Sequence, residues 1–348
     1  MSSDAPSLSS NTSSSDTPSS STSPPDAPTA LVLALRLDGQ GGGEALDEPT
    51  LAALWGEQDV PLWLHLDLSR ADISHYLEEI AGLDEDIVEA LTEEDTRPRV
   101  AHFPGGRITT LRGINLNPGA DPDDTISLRV WLGANRLITV RKRPLQSVLR
   151  IREALDRNDG PESVSELLAS IADAMVDRVG DLTHKLDDEL GRLEERQIHK
   201  ESEEVTSEDI NEIRLPLINL RRFMEPQCHC LARLAEDEML DESARLWLRE
   251  ATNQLSRYAE DFRAMQERAL ILQEQLINDH NERLNDRMYL LAIITAVFLP
   301  LTFLTGLLGI NVGGIPGADN PLGFGVVVAL SMLVGALVMA LLKKWRWW

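Results

Sequence analysis

The reading of this chain turns on Met288-Tyr-Leu-Leu-Ala-Ile-Ile-Thr-Ala-Val-Phe-Leu-Pro-Leu-Thr-Phe-Leu-Thr-Gly-Leu-Leu308, a run of 21 residues without one charged side chain. At ~1.5 Å per residue, a helix of this length crosses a hydrocarbon core of ~30 Å. Phe324–Leu342 is a second such run, and strict absence of charge over both lengths is rare in soluble core helices. Two membrane spans joined by a short loop (309–323) are therefore expected. Arg283 and Arg287 precede the first span, Lys343, Lys344 and Arg346 follow the second, and the loop holds no Lys or Arg. The positive-inside rule puts both termini in the cytoplasm of a cell whose inner membrane the chain crosses twice. Trp345, Trp347 and Trp348, in the basic and aromatic tail 343–348, suit the interfacial belt.

Upstream of the first span, no Pro or Gly occurs between Asp241 and Pro300. Ser243–Leu308 is thus predicted as one continuous helix on the order of 100 Å long, with a stalk at 241–287 leading into the span at 288–308. The region 146–240 reads as helical. Val164, Leu168, Ile171, Met175, Val179, Leu182, Leu186, Leu190 and Leu193 recur at steps of three and four, one apolar stripe for packing against other helices. Pro161 suits the first turn of that helix. The polar stretch Lys200–Thr206 ends it, Ser207 is the candidate cap of the next, and Pro216 and Pro226 blur the ends of the latter.

Residues 31–145 alternate short apolar runs with polar turns. Strands are predicted at Leu31–Leu37, Leu62–Leu66, Arg107–Arg112, Ile126–Leu132 and Arg136–Arg141, with helix around Ala71–Leu91, so this is a mixed α/β domain. Residues 1–30, nearly all Ser, Thr, Pro, Asp and Ala, bury too little apolar area to fold and are expected as a disordered tail.

The chain carries 33 Lys and Arg against 57 Asp and Glu, a net charge of −24. Phosphate repels such a surface, which argues against nucleic acid as a partner and for a cationic one. Between residues 31 and 287 there are 30 basic and 53 acidic residues, so several copies would draw cations toward a shared axis. Cys228 and Cys230, one residue apart, build no disulfide framework. No G-x-x-x-x-G-K-[ST], G-x-S-x-G or H-E-x-x-H occurs, so neither a nucleotide-driven pump nor a hydrolase is expected, and no cofactor is called for.

One stripe of the first span is mildly polar. Thr295 and Thr302 stand seven apart, Met288, Leu299 and Gly306 share their face, and Asn285 lies near the same line. Helix packing through small residues explains such a stripe equally well by itself. Gly309-Ile310-Asn311 closes the span, however, and places an amide oxygen where the helix C-terminus adds partial negative charge. One such site is weak, whereas a ring of identical helices concentrates several on one axis. Two spans per chain enclose no channel, so the argument requires an oligomer.

With Gly309-Ile310-Asn311, the long helix, the two C-terminal spans and the acidic body, the chain resembles the CorA-type divalent metal ion transporters, whose signature is Gly-Met-Asn. The Ile at 310, Val312-Gly-Gly-Ile-Pro-Gly317, Leu111-Arg-Gly-Ile-Asn-Leu-Asn-Pro-Gly119, Ser127-Leu-Arg-Val-Trp-Leu132 and Arg136-Leu-Ile-Thr-Val140 are similar to its zinc-transporting ZntB branch. The resemblance covers about residues 31–348. It implies a CorA-like homopentamer with an α+β cytoplasmic domain (α/β/α), a stalk helix and two C-terminal transmembrane helices. Gly309, Ile310 and Asn311 would form the selectivity mouth, with Asn311 meeting the metal, and Asn285, Met288, Leu291, Thr295, Leu299, Thr302 and Gly306 would line the pore. The magnesium-type loop usually carries a Glu soon after the Asn, and Val312-Gly313-Gly314 stands here instead, leaving Asp319 the only acid of the loop. Zn2+ is favoured as the transported ion. A Mg2+, Co2+ or Ni2+ channel, Zn2+ efflux and a metal-sensing membrane scaffold are the alternatives.

A divalent cation moving toward a negative interior gains about 4.6 kcal/mol per 100 mV, which favours uptake. Residues 288–318 hold no Asp, Glu, His, Lys or Arg to relay a proton. Acid clusters at Glu93-Glu94-Asp95, Asp187-Asp188-Glu189 and Glu194-Glu195 read as solvated helix faces or as regulatory divalent sites between subunits. Cys228-His229-Cys230 has zinc-ligand chemistry, but on a helix its cysteines point to nearly opposite sides. His65 and Asp67, at the end of a strand, read as core or strand-end groups rather than catalytic ones.

Overall fold

The structure, a computed structural model, describes residues 29–94, 97–115, 117–121, 124–199, 204–309 and 321–344. The tail up to residue 28, Asp95, Ile310 and Asn311 with the rest of the loop to 320, and Trp345–Trp348 thus lie outside the described residues. The chain divides into two compact units, Met1–Leu182 with Asn219–Ala259, and Thr183–Ile218 with Glu260–Trp348.

The first unit is built on β1 (Leu31–Leu37), β2 (Gly43–Ala45), α1 (Glu48–Trp55), β3 (Leu62–Asp67), a π-helical turn at His75–Ile80, α2 (Glu85–Thr92), β4 (Arg99–Phe103), β5 (Gly106–Ile114), β6 (Thr125–Leu132), β7 (Arg136–Arg141) and α3 (Gln146–Asp156). The strands form one sheet in the order β2-β1-β3-β7-β6-β5-β4, in which only β3 and β7 run parallel. Alternation along each strand decides the two faces. Leu62, Leu64, Leu66, Ile108, Trp131, Ile138 and Val140 form one face, buried with Leu51 of α1, Tyr76 and Leu77 of the π turn, and Ile87 and Leu91 of α2. The other face meets α4 (Val164–His199): a Cβ added at Gly113 would lie 3.1 Å from Met175 Cε, so glycine permits this approach. Where β5 runs on past its pairing with β4, the Gln227 amide replaces a neighbouring strand. Its Oε1 accepts from Arg112 N at 2.6 Å and its Nε2 donates to Arg112 O at 2.7 Å.

The remaining helices are α5 (Ser207–Leu234), α6 (Glu242–Leu308) and α7 (Gly323–Lys344). Helix α6 is continuous over 67 residues, as its freedom from Gly and Pro before Pro300 predicts. In the second unit, α4 and α6 are fastened by Arg268, whose Nε and Nη2 reach the two carboxylate oxygens of Glu194 at 3.0 and 2.6 Å while Nη1 reaches Asp187 at 2.6 Å. The Glu194 hydrogen bonds, aided by Asp187, hold this guanidinium even more firmly protonated than usual. Asp187 and Glu194, each from an acid cluster considered as a metal site, thus serve an ion pair within the chain.

Several local expectations need correction. Ala71–Leu91 is not one helix: Gly82, at φ +61°, separates the π turn from α2. Helix α4 starts at Val164 rather than at Pro161, because Ser163 Oγ accepts from Glu166 N at 3.1 Å and caps it. Thr206, not Ser207, caps α5: Thr206 Oγ1 accepts from Asp209 N, and Asp209 Oδ2 accepts from Thr206 N, a reciprocal box. Pro216 and Pro226 end nothing, since α5 runs through both.

Candidate functional site

The candidate site is the apolar half of α6. This helix and α7 are long and apolar enough to cross a membrane, and the apolar window of each has no residue buried by the rest of the chain. Asn285, Met288, Leu291, Thr295, Leu299, Thr302 and Gly306, expected along one stripe, are all exposed on α6. At ~100° per residue they occupy one side of the helix. Nothing lies within 4 Å of a Cβ placed on Gly306, so this point of the stripe is sterically open.

Thr295 satisfies its hydroxyl proton within its own helix and still offers oxygen outward. Thr295 Oγ1 donates to Leu291 O at 2.8 Å. Its proton is used within the helix, and its lone pairs are left to a cation or a water. Pro300 has no N–H to give the Ala296 carbonyl, yet α6 continues through it. At the end of the helix Gly309 N donates to Thr305 O at 2.9 Å. A Cβ at Gly309 would press to 3.0 Å from that same oxygen, which gives the glycine before Ile310 and Asn311 a steric reason.

The structure does not bring Cys228, His229 and Cys230 together. Cys228 Sγ lies 3.8 Å from Ser256 Oγ of α6, Cys230 Sγ lies 3.7 Å from Thr110 O of β5, and His229 is exposed. Burial pushes the Cys230 thiol up to about 12, so it stays protonated and is a poor metal ligand. Among the described residues no group of three His, Cys, Asp or Glu side chains could hold a metal ion. His65 is likewise structural. It is buried against Thr139, Nδ1 to Oγ1 at 2.7 Å, and burial lowers its pKa to about 3. Asp67 accepts from Ser69 N at 2.9 Å and pairs with Arg141 at 3.2 Å.

Sequence reasoning missed Arg268 and also a cavity of about 470 Å³ in the second unit, bordered by Arg196, Glu204, Asp279, His280 and Arg283. The signal for Arg268 was present as acids on α4 and a base on α6, but their pairing is a tertiary fact. In the cavity, Arg283 and Glu204 neutralise one another at 2.7 Å, and the neutral Gln197 amide donates to Asp279 at 2.8 Å.

The family model described as "CorA-like Mg2+ transporter protein" matches residues 58–344. The divalent cation transporter CmaX of Pseudomonas aeruginosa is 37% identical over 321 residues, covering 91% of this chain and 96% of that one. The zinc transport protein ZntB of Pectobacterium atrosepticum is 32% identical over 323 residues, covering 91% and 95%. The solved structure of the full-length CmaX protein superposes with a TM-score of 0.82 at 36% identity, covering 93% of this chain and all of that one.

Proposed function

The chain belongs to the CorA-like Mg2+ transporter family, and from that premise we propose that it forms a homopentamer in the inner membrane and passes Zn2+ inward. As a member of this family it is a membrane protein that transports divalent cations, and not an enzyme. The observation that carries the proposal is the apolar half of α6. It holds a mildly polar stripe, none of its apolar window is covered by its own chain, and it runs directly into Gly309-Ile310-Asn311.

Five copies around one axis would cover that stripe with one another and leave α7 to lipid. Asn311 amide oxygens and the α6 carbonyl ends then meet the ion at the outer mouth, where their number compensates for the weakness of each. Below them Thr302, Thr295 and Asn285 present oxygen, spaced by Gly306, Leu299, Leu291 and Met288. The acidic bodies, on the cytoplasmic side by the positive-inside rule, draw the cation onward. The inside-negative potential supplies about 4.6 kcal/mol per 100 mV for a divalent ion. Zn2+ is favoured over Mg2+ by Ile310, by Val312-Gly313-Gly314 after the Asn, and by the names of the ZntB relatives.

Isotopic zinc and magnesium uptake into proteoliposomes tests this reading. Zinc influx is expected to follow an imposed inside-negative potential, and Asn311→Ala is expected to abolish it with the pentamer intact by native mass spectrometry. Undiminished flux in an assembled Asn311→Ala protein refutes the selectivity ring, and a monomeric wild type refutes the pore.

A further inference from the structure

The sheet face that carries the core of the first unit also carries a row of cations. Arg99 of β4, Thr110 of β5 and Arg129 of β6 are direct partners across three neighbouring strands, and Arg112 follows two residues after Thr110 on β5. Alternation puts all four on the side of Ile108 and Trp131. There they meet the C-terminal end of α2, where Arg129 donates from Nη2 to the carbonyl oxygen of Glu93 at 2.7 Å. Arg129 is only 3% exposed, a rare depth for an arginine.

The hydrogen bonds of this row do not close. Arg99 Nη2 pairs with the Glu93 carboxylate, so both guanidiniums converge on one residue. Arg129 Nη1 and Arg99 Nε are shut off from solvent and have no hydrogen-bond partner among the described residues. Buried donors are nearly always paired, and a charged one left unpaired is the most destabilising kind. Arg112 adds charge rather than free donors, since its guanidinium lies 4.5 Å over the Phe223 ring and Nη1 donates to Thr125 Oγ1 at 2.9 Å. Burial lowers the pKa of Arg129, and the like charges of Arg112 and Arg99 lower it further against the opposing pull of Glu93. Three guanidiniums thus gather around one carboxylate, in a chain whose net charge is −24.

We infer that this row is the seat of a phosphate group, which the Glu93 carboxylate fills while the ligand is away. The planar fork of a guanidinium matches phosphate oxygens bidentately. The side chains of Arg99 and Glu93 are 41% and 43% exposed, so the carboxylate can leave its partner and admit an anion without disturbing the sheet. Phosphate brings more acceptor oxygens than the carboxylate it displaces, and Arg99 and Arg129 hold the unmatched N–H groups to receive them. The ligand is either the free ion or an ester that presents the same group. The inference does not depend on how copies of the chain assemble or on which cation they pass.

Equilibrium dialysis of the purified full chain in detergent tests the site, with radiolabelled inorganic phosphate and glycerol 3-phosphate as probes at constant ionic strength. Saturable binding is expected, and the more tightly held probe tells the free ion from the ester. Arg99→Gln and Arg129→Met are each expected to weaken binding about tenfold or more through loss of a charge-assisted pair. Glu93→Gln removes the competing charge, keeps the carbonyl that holds Arg129, and is expected to tighten binding several-fold. A wild type that retains neither probe overturns the site, as does wild-type affinity in the two arginine variants. A Glu93→Gln protein that binds no more tightly than the wild type overturns the exchange. Should Arg129→Met fail to fold by circular dichroism, the half-exposed Arg99→Gln decides alone.

Discussion

The two halves of α6 are both rich in apolar residues and meet opposite fates. Ala244, Leu248, Ala251, Leu255, Ala259, Phe262, Met265, Ala269 and Leu272 are buried at steps of three and four, whereas from Met288 to Leu308 no residue is buried. The first half is a stripe with charged flanks and finds its cover within its own chain. The second is free of charge on every side and finds no such cover within its own chain. Apolar content says that a segment must be covered; the arrangement of that content around the helix says by what.

The sharpest way to break this contrast is a pair of matched truncations. Phe262 is fully buried and Phe303 is 71% exposed. Phe262→Ala is expected to cost about 3–5 kcal/mol through lost burial and the cavity left behind. Phe303→Ala is expected to leave the unfolding of the body within about 0.5 kcal/mol of the wild type. Denaturant unfolding followed by tryptophan fluorescence in detergent reads both, and equal losses would mean that the membrane half is packed within the chain after all.

A smaller effect sharpens the picture of the covered part through pH. Burial holds His65 neutral, with its pKa at about 3 in the folded chain against 6.5 for the free side chain. The unfolded chain therefore binds a proton below pH 6.5 that the folded chain refuses. Stability from this group is full above pH 6.5 and falls by about 1.4 kcal/mol per pH unit as the pH is lowered toward 3. His65→Gln is expected to flatten that slope in unfolding titrations, and an unchanged slope would assign the acid sensitivity to other groups.

The smallest effect concerns the half-exposed clamp of the stalk. Arg268→Ala is expected to cost about 1 kcal/mol, because solvent screens a pair with this much exposure. The loss should shrink in high salt. A salt-independent loss would indicate packing by the arginine stem rather than charge.

What the sequence made legible follows the same division. The spans, the long helix and the central strands β1, β3, β5, β6 and β7 could be read because each is a long or strongly patterned run. Strand β2 is three residues, Gly43–Ala45, and β4, Arg99–Phe103, is an edge strand with polar residues at both faces, so neither shows a clear period. Helix α1 buries only Leu51, and its start is written in Asp47 and Pro49 rather than in an apolar stripe. At the site, spacing placed the stripe from Met288 to Gly306 on one side of α6, while Asn311 gained meaning from the resemblance of its tripeptide. Arg268 was hidden because an ion pair between residues 74 positions apart has no local signature.

Pro300 gives α6 a mechanical character that its continuity conceals. One rung of the hydrogen-bond ladder is missing inside the span, and kinks in long helices concentrate at such a rung. A bend at that rung would turn the short arm that ends at Gly309 against the long arm. In the proposed pore, the width of the outer opening and the grip of the stalk would then be two separate adjustments of a single rod.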